Sequence, residues 1–160
     1  MDAYLVYSAP ELLMGKFLEL QPDYKISGHT SNYIELLLTH HKNHPSQKLM
    51  FVNVRTGFFD IFITEGKRLL FQNAFHFTAR EDVIYYIIFV MEQLAINPEE
   101  TEIFLSGIID RDSKLYEIMH KYVRHINFIQ LSDQFNYSYH FNDIPQHYFF
   151  NLINSRLCEL

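Results

Sequence analysis

Leu49-Met50-Phe51-Val52-Asn53-Val54 leads into Arg55-Thr56-Gly57, and Phe58-Phe59-Asp60-Ile61-Phe62-Ile63-Thr64 leads out again. Both runs are rich in β-branched and aromatic residues, and the tripeptide between them carries a glycine able to close a short turn. The stretch reads as a β-hairpin. Glu65-Gly66-Lys67 is a second tight turn signal, and it delivers the chain into Arg68–Phe75. A period of two therefore holds from Lys48 to Phe77 and predicts a three-stranded antiparallel meander over Leu49–Val54, Phe58–Thr64 and Arg68–Phe75.

Beyond the meander the period changes. Thr78 with Glu81 forms a capping box, and Val83, Ile84, Ile87, Ile88, Met91 and Leu94 follow the helical repeat until Asn97-Pro98 breaks it. Glu102–Ser106 is a short buried-type strand that ends at Gly107. Asp112 caps a helix through about Val123, Ile126–Ile129 is a further strand, and Asp143 with Pro145 opens a last helix. Ahead of the meander, Ala3–Tyr7 reads as a strand. Ser8 and Glu11 cap a helix to about Leu20 with Leu12, Leu13, Phe17 and Leu20 on one side. A second helix from Ser31 or Asn32 carries Ile34, Leu37, Leu38 and His41, and Pro45 stops it. A meander followed by strands that alternate with helices is an α/β pattern in which the later strands add in parallel.

The chain has 160 residues, enough for one domain or two small lobes, and 48% hydrophobic residues supply a core. Fifteen Phe and eleven Tyr make that core bulky and leave many phenolic hydroxyls in need of partners. A net charge of -6 with thirteen scattered basic residues argues against nucleic-acid binding. The single cysteine, Cys158, excludes an intrachain disulfide and fits a reducing compartment. With no basic, apolar leader and no apolar run long enough to span a bilayer, the chain reads as cytoplasmic.

The hairpin at Asn53-Val54-Arg55-Thr56-Gly57, the meander, the helix and the strand closing on Gly107 resemble the second half of actin-like ATPases, which share the ribonuclease H-like fold. The likeness runs from Lys48 to about Leu131 and is nearest to the group that includes the type IV pilus assembly ATPase. The whole chain, with Asp143-Ile144-Pro145-Gln146-His147 near its end, is similar to an uncharacterised bacterial family of unknown function with that fold. The resemblance divides the chain into residues 1–47, the end of a preceding lobe, and residues 48–160, the ribonuclease H-like domain. It also implies a phosphate site at Asn53, Arg55, Thr56, Gly57, Ser106 and Gly107. In such ATPases an Asp holds Mg²⁺ and glycines let backbone N–H groups reach phosphate. Asn53 stands at the Asp position, Arg55 at the first Gly, and one glycine of the second pair remains. The resemblance thus implies a vestigial site with no cofactor, the alternative being ATP with magnesium.

Other groupings are weaker. His40 and His44 lie one helical turn apart, but no acidic or Cys ligand accompanies them, so a solvated helix end is favoured over a metal site. Asp60 reads as a polar residue alternating along a strand rather than as a displaced ligand. The carboxylates of Asp110-Arg111-Asp112 read as helix-capping groups. The aromatic segment Phe135–Phe141 reads as core or protein contact, and a ribonuclease-type metal cluster would lack its first carboxylate at Asn53. The favoured function is a non-catalytic interaction or scaffolding module with a protein partner or a homodimer through its N-terminal region. The alternative is a divergent actin-like nucleotide-binding protein or ATPase.

Overall fold

The computed structural model describes residues 6, 8–23, 28–40, 47–131, 137–139 and 143–153. Five strands form one mixed sheet in the order β3-β2-β1-β4-β5, where β1 is Lys48–Arg55, β2 Phe58–Glu65, β3 Arg68–His76, β4 Glu102–Gly107 and β5 His125–Phe128. The first three pair antiparallel as the meander, and β4 and β5 add in parallel. The parallel steps are made by helices α3 (Arg80–Gln93) and α4 (Lys114–Tyr122), the crossovers that parallel strands require.

Helices α3 and α4 cover one face of the sheet, and α2 (His29–His40) with the short α5 (Phe150–Ile153) covers the other. Alternation along β1 assigns its side chains between the two layers. Met50, Val52 and Val54 join Val83, Ile87, Met91, Ile103, Leu105 and Met119 in the larger core. Leu49 and Phe51 join Tyr33, Leu36, Leu37 and Phe62 in the smaller one. Both faces of β1 and β2 are therefore buried, which is why these strands read as almost continuous apolar runs. Asn53, Asp60, Thr64 and Ser106 are polar exceptions in these strands and β4, and the first two with Ser106 meet on the α2 side.

Several local expectations are corrected. Helix α1 spans Glu11–Leu20, but its N-cap is Pro10 and no side chain caps it, so Ser8 plays no part. In α2 the buried stripe is Tyr33, Leu36 and Leu37, with Ile34 and Leu38 only partly covered. The acid that reaches back at the start of α3 is Asp82, not Glu81. Its Oδ2 accepts from the backbone N–H groups of Thr78 and Ala79, both at 2.9 Å, which holds its pKa below the usual carboxylate value. Ser113, not Asp112, caps α4, its Oγ accepting from the Tyr116 N–H. The strand expected at Ala3–Tyr7 has only Val6 among the described residues. His41, His44, His140, most of Phe135–Phe141 and Cys158 lie outside them.

Candidate functional site

The register of β1 sets the site. A two-residue turn at Thr56-Gly57, with Gly57 at φ 77°, places Arg55 opposite Phe58 and therefore Asn53 opposite Asp60. On the other side, parallel pairing sets Asn53 beside Ser106. Asp60, Asn53 and Ser106 thus form a polar row across three strands under α2, from which Tyr33 points down.

Their hydrogen bonds run in one direction. Ser106 Oγ donates to Asn53 Oδ1 at 3.2 Å, so Tyr33, 2.5 Å away, must donate to Ser106. Asn53 Nδ2 donates to Asp60 Oδ2 at 3.2 Å, and Arg55 Nη2 donates to Asp60 Oδ1 at 2.7 Å. The carboxylate of Asp60 is only 2% exposed and ends the relay. Asp60 is therefore more than a polar residue alternating along a strand: buried under α2, it is the centre of the cluster. Arg55, expected to project into the phosphate space, lies back along β2 with its guanidinium 3.7 Å from the Phe58 ring centroid. Its Nε is buried without a partner among the described residues. Burial pushes the Tyr33 phenol far above its usual pKa, and the Asp60 charge pushes it the same way against the hydrogen bond with Ser106.

The second half of the expected site lies at the end of β4. Gly107 has φ 82°, and a Cβ there would sit 2.0 Å from the Val54 carbonyl oxygen and 2.8 Å from Asn53 Oδ1. Only glycine fits so close a strand crossing. The next residue locks the crossing, with Ile108 N–H donating to Val54 O at 2.8 Å. The Gly107 N–H, however, donates to the His147 carbonyl at 2.8 Å. His147 Nε2 in turn donates to Ile109 O at 2.7 Å, its ring is 4.3 Å from that of Phe128, and the Tyr148 hydroxyl donates to Asp110 Oδ1. Burial lowers the His147 pKa, opposed by its bond to Ile109. The segment around His147 is therefore a strap across the β4 turn, anchored by Phe150, which packs against the Tyr33 ring in the smaller core.

The structure brings Asn53, Arg55, Ser106 and Gly107 together, and it leaves Thr56 and Gly57 exposed at the hairpin tip. Asp60 as keystone, Tyr33, Tyr148 and the strap made by His147 stand beyond the expected site residues. Among the described residues no group of three or more His, Cys, Asp or Glu side chains could hold a metal ion. Nor is any helix among them long and apolar enough to cross a membrane.

An antiparallel meander continued by parallel strands, with helices on both faces and a polar hairpin at the strand ends, defines an α/β protein of the actin-like ATPase fold class. A solved protein "with actin-like ATPase fold and unknown function" from Bacteroides thetaiotaomicron has this arrangement, with a TM-score of 0.66 and 26% sequence identity. The match covers 72% of this chain and 45% of that one, so this chain spans less than half the length of its neighbour. Residues 1–126 match the family described as protein of unknown function (DUF3822), and the chain belongs to that family. No curated protein matches it.

Proposed function

We propose that this chain is a non-catalytic interaction or scaffolding module built on the actin-like fold, acting in the cytoplasm through protein contacts. In this reading residues 1–47 are the end of a preceding lobe whose helix α2 packs onto the ribonuclease H-like domain of residues 48–160. Asn53, Arg55, Thr56, Gly57, Ser106 and Gly107 form a degenerate nucleotide site that takes no ATP and no magnesium. The likeness to the pilus assembly ATPase group belongs to the same reading, through the hairpin-to-strand order.

One observation carries it: the groups that would meet phosphate are spent inside the chain. The Arg55 guanidinium is neutralised by Asp60 at 2.7 Å, and the Gly107 N–H is taken by the His147 carbonyl. Breaking a partly buried, charge-assisted pair to release Arg55 opposes phosphate binding by roughly 1.5–3 kcal/mol.

A thermal-shift titration with ATP and ADP, with and without Mg²⁺, tests this. A nucleotide at a hundred times its dissociation constant stabilises by about 2.7 kcal/mol, or about 5–10 °C for a domain of this size. We expect no shift and no phosphate release. A magnesium-dependent shift lost in Arg55→Ala would establish the divergent nucleotide-binding alternative instead.

A further inference from the structure

Among the described residues, two apolar surfaces have no covering partner. Helix α1 carries no buried residue, with Leu12 and Leu20 both 76% exposed and Phe17 53%. At 100° per residue, Leu20, Leu13, Phe17, Met14 and Leu18 make a continuous apolar arc, with Lys16 along one edge and Glu11 along the other. The second surface is a groove of about 620 Å³ between α3 and α4. Ile84, Ile88 and Ile118 form its floor, and Tyr85, Phe89 and Tyr122 its walls. It flanks the buried stripe of Val83, Ile84, Ile87, Val90 and Met91, sharing Ile84 with it and opening outward through Tyr85 and Phe89.

We infer that α1 of one copy docks in the α3–α4 groove of a second copy, reciprocally, to give a two-fold dimer. This rests on the reading of the chain as an interaction module. The lengths agree: ten residues of α1 make a rod of about 15 Å, and the groove from Glu81 to Glu92 runs about 16 Å along α3. The charges agree too. The α3 rim carries Glu81 and Glu92 and the α4 rim carries Lys121, so α1 seated with Lys16 towards α3 sets Glu11 towards Lys121.

The chain cannot make this contact with itself. Leu20 and the start of α2 at His29 are joined by residues 21–28, which reach at most about 32 Å fully stretched. Helix α2 lies on the far face of the sheet. At roughly 10 Å per layer, an α1 docked in its own groove would be about 29 Å away in a straight line through the sheet. The path around the sheet edge exceeds the tether. A second copy has no such limit, and seating an amphipathic helix in an apolar groove is a recurring mode of protein recognition.

Light scattering on the full chain tests the inference, with a helix variant (Leu13→Glu with Phe17→Glu) and a groove variant (Tyr85→Glu with Phe89→Glu). The wild type is expected to be a dimer, and each variant to weaken it by about a hundredfold or more. The decisive measurement is an equimolar mixture of the two variants. The helix variant keeps its groove and the groove variant keeps its α1, so the mixture should regain a heterodimer through one intact contact. A milder pair guards against misfolding: Lys16→Glu weakens the dimer, and adding Glu92→Lys restores it. A monomeric wild type, a dimer indifferent to the groove variant, or a mixture that stays monomeric overturns the inference. None of these results bears on nucleotide binding, so the proposed function stands or falls separately by its thermal-shift titration.

Discussion

Replacing Asn53 by Asp would restore the residue type that actin-like ATPases use to hold magnesium, yet the structure predicts that it damages the protein. Asn53 Nδ2 is a donor 3.2 Å from an Asp60 carboxylate that is 2% exposed. The substitution removes that bond to a charged acceptor, worth about 1.5–3 kcal/mol. It also faces two carboxylates across the hairpin, a repulsion of roughly 4 kcal/mol for charge centres about 4 Å apart at an effective dielectric of about 20. Arg55 offsets part of the repulsion, so Asn53→Asp should destabilise by about 3–5 kcal/mol at pH 7.5. Two carboxylates so placed hold one proton more tightly in the fold than in the unfolded chain. Stability of the variant is then lost as pH rises through that raised folded pKa, and the deficit against wild type should shrink towards pH 5. Urea unfolding at the two pH values measures both effects. Asn53→Asp with Asp60→Asn, which exchanges amide and carboxylate across the pair, should recover most of the loss. A single variant within about 0.5 kcal/mol of wild type at pH 7.5, or one stabilised by Mg²⁺, would refute the relay as described.

Tyr33→Phe removes the head of the relay and should cost about 1 kcal/mol in the same assay. Because burial raises the Tyr33 pKa, its contribution is complete below the ordinary tyrosine range and is lost as pH rises above it. Ultraviolet titration should accordingly find a tyrosine that ionises only when the fold opens. His147, whose pKa burial lowers, acts in the opposite sense: its contribution is present at neutral pH and lost as pH falls below the ordinary histidine value. The protection factor of the Gly107 amide should drop under mild acid and in His147→Ala. Gly107→Ala and Gly57→Ala separate close approach from backbone angle. The second meets open space and should cost about 1–2 kcal/mol for its positive φ alone. The first drives a Cβ to 2.0 Å from Val54 O and should prevent folding at ordinary temperature, as thermal melts and solubility would report.

The meander and its continuation were legible because strand and helix write different periods, and because Thr56-Gly57 and Glu65-Gly66-Lys67 punctuate them. Helix starts slipped by a residue or two, since Glu81 and Asp82 or Asp112 and Ser113 offer nearly equivalent oxygens and only three-dimensional reach chooses between them. Asp60 is instructive. A two-residue turn at Thr56-Gly57 forces it opposite Asn53, so its role could have been counted out from the turn. Alternation alone marks it as one polar residue along a strand, because α2, which buries that face, is not visible in the local pattern. Tyr33, His147 and Tyr148 left no local signal. They reach the site from 15 residues before β1 and some 40 after Gly107, and nothing in one dimension brings those segments together.

The polar row under α2 also bears on how the hairpin finds its alignment. A one-residue slip between β1 and β2 would turn every side chain of one strand to the other face, and because both faces are apolar it is the polar row that opposes it, since Asn53 or Asp60 would enter the larger core. A two-residue slip keeps each side chain on its own face, so the apolar pattern tolerates it. In one direction that slip sets Asp60 against Phe51, and in the other it sets Asn53 against Phe62. Either way a buried polar group loses its partner, at a cost of about 1–3 kcal/mol or more if it is charged. The side chains of this row therefore act as a proofreading key, rejecting the misaligned hairpins that an entirely apolar β1 would accept.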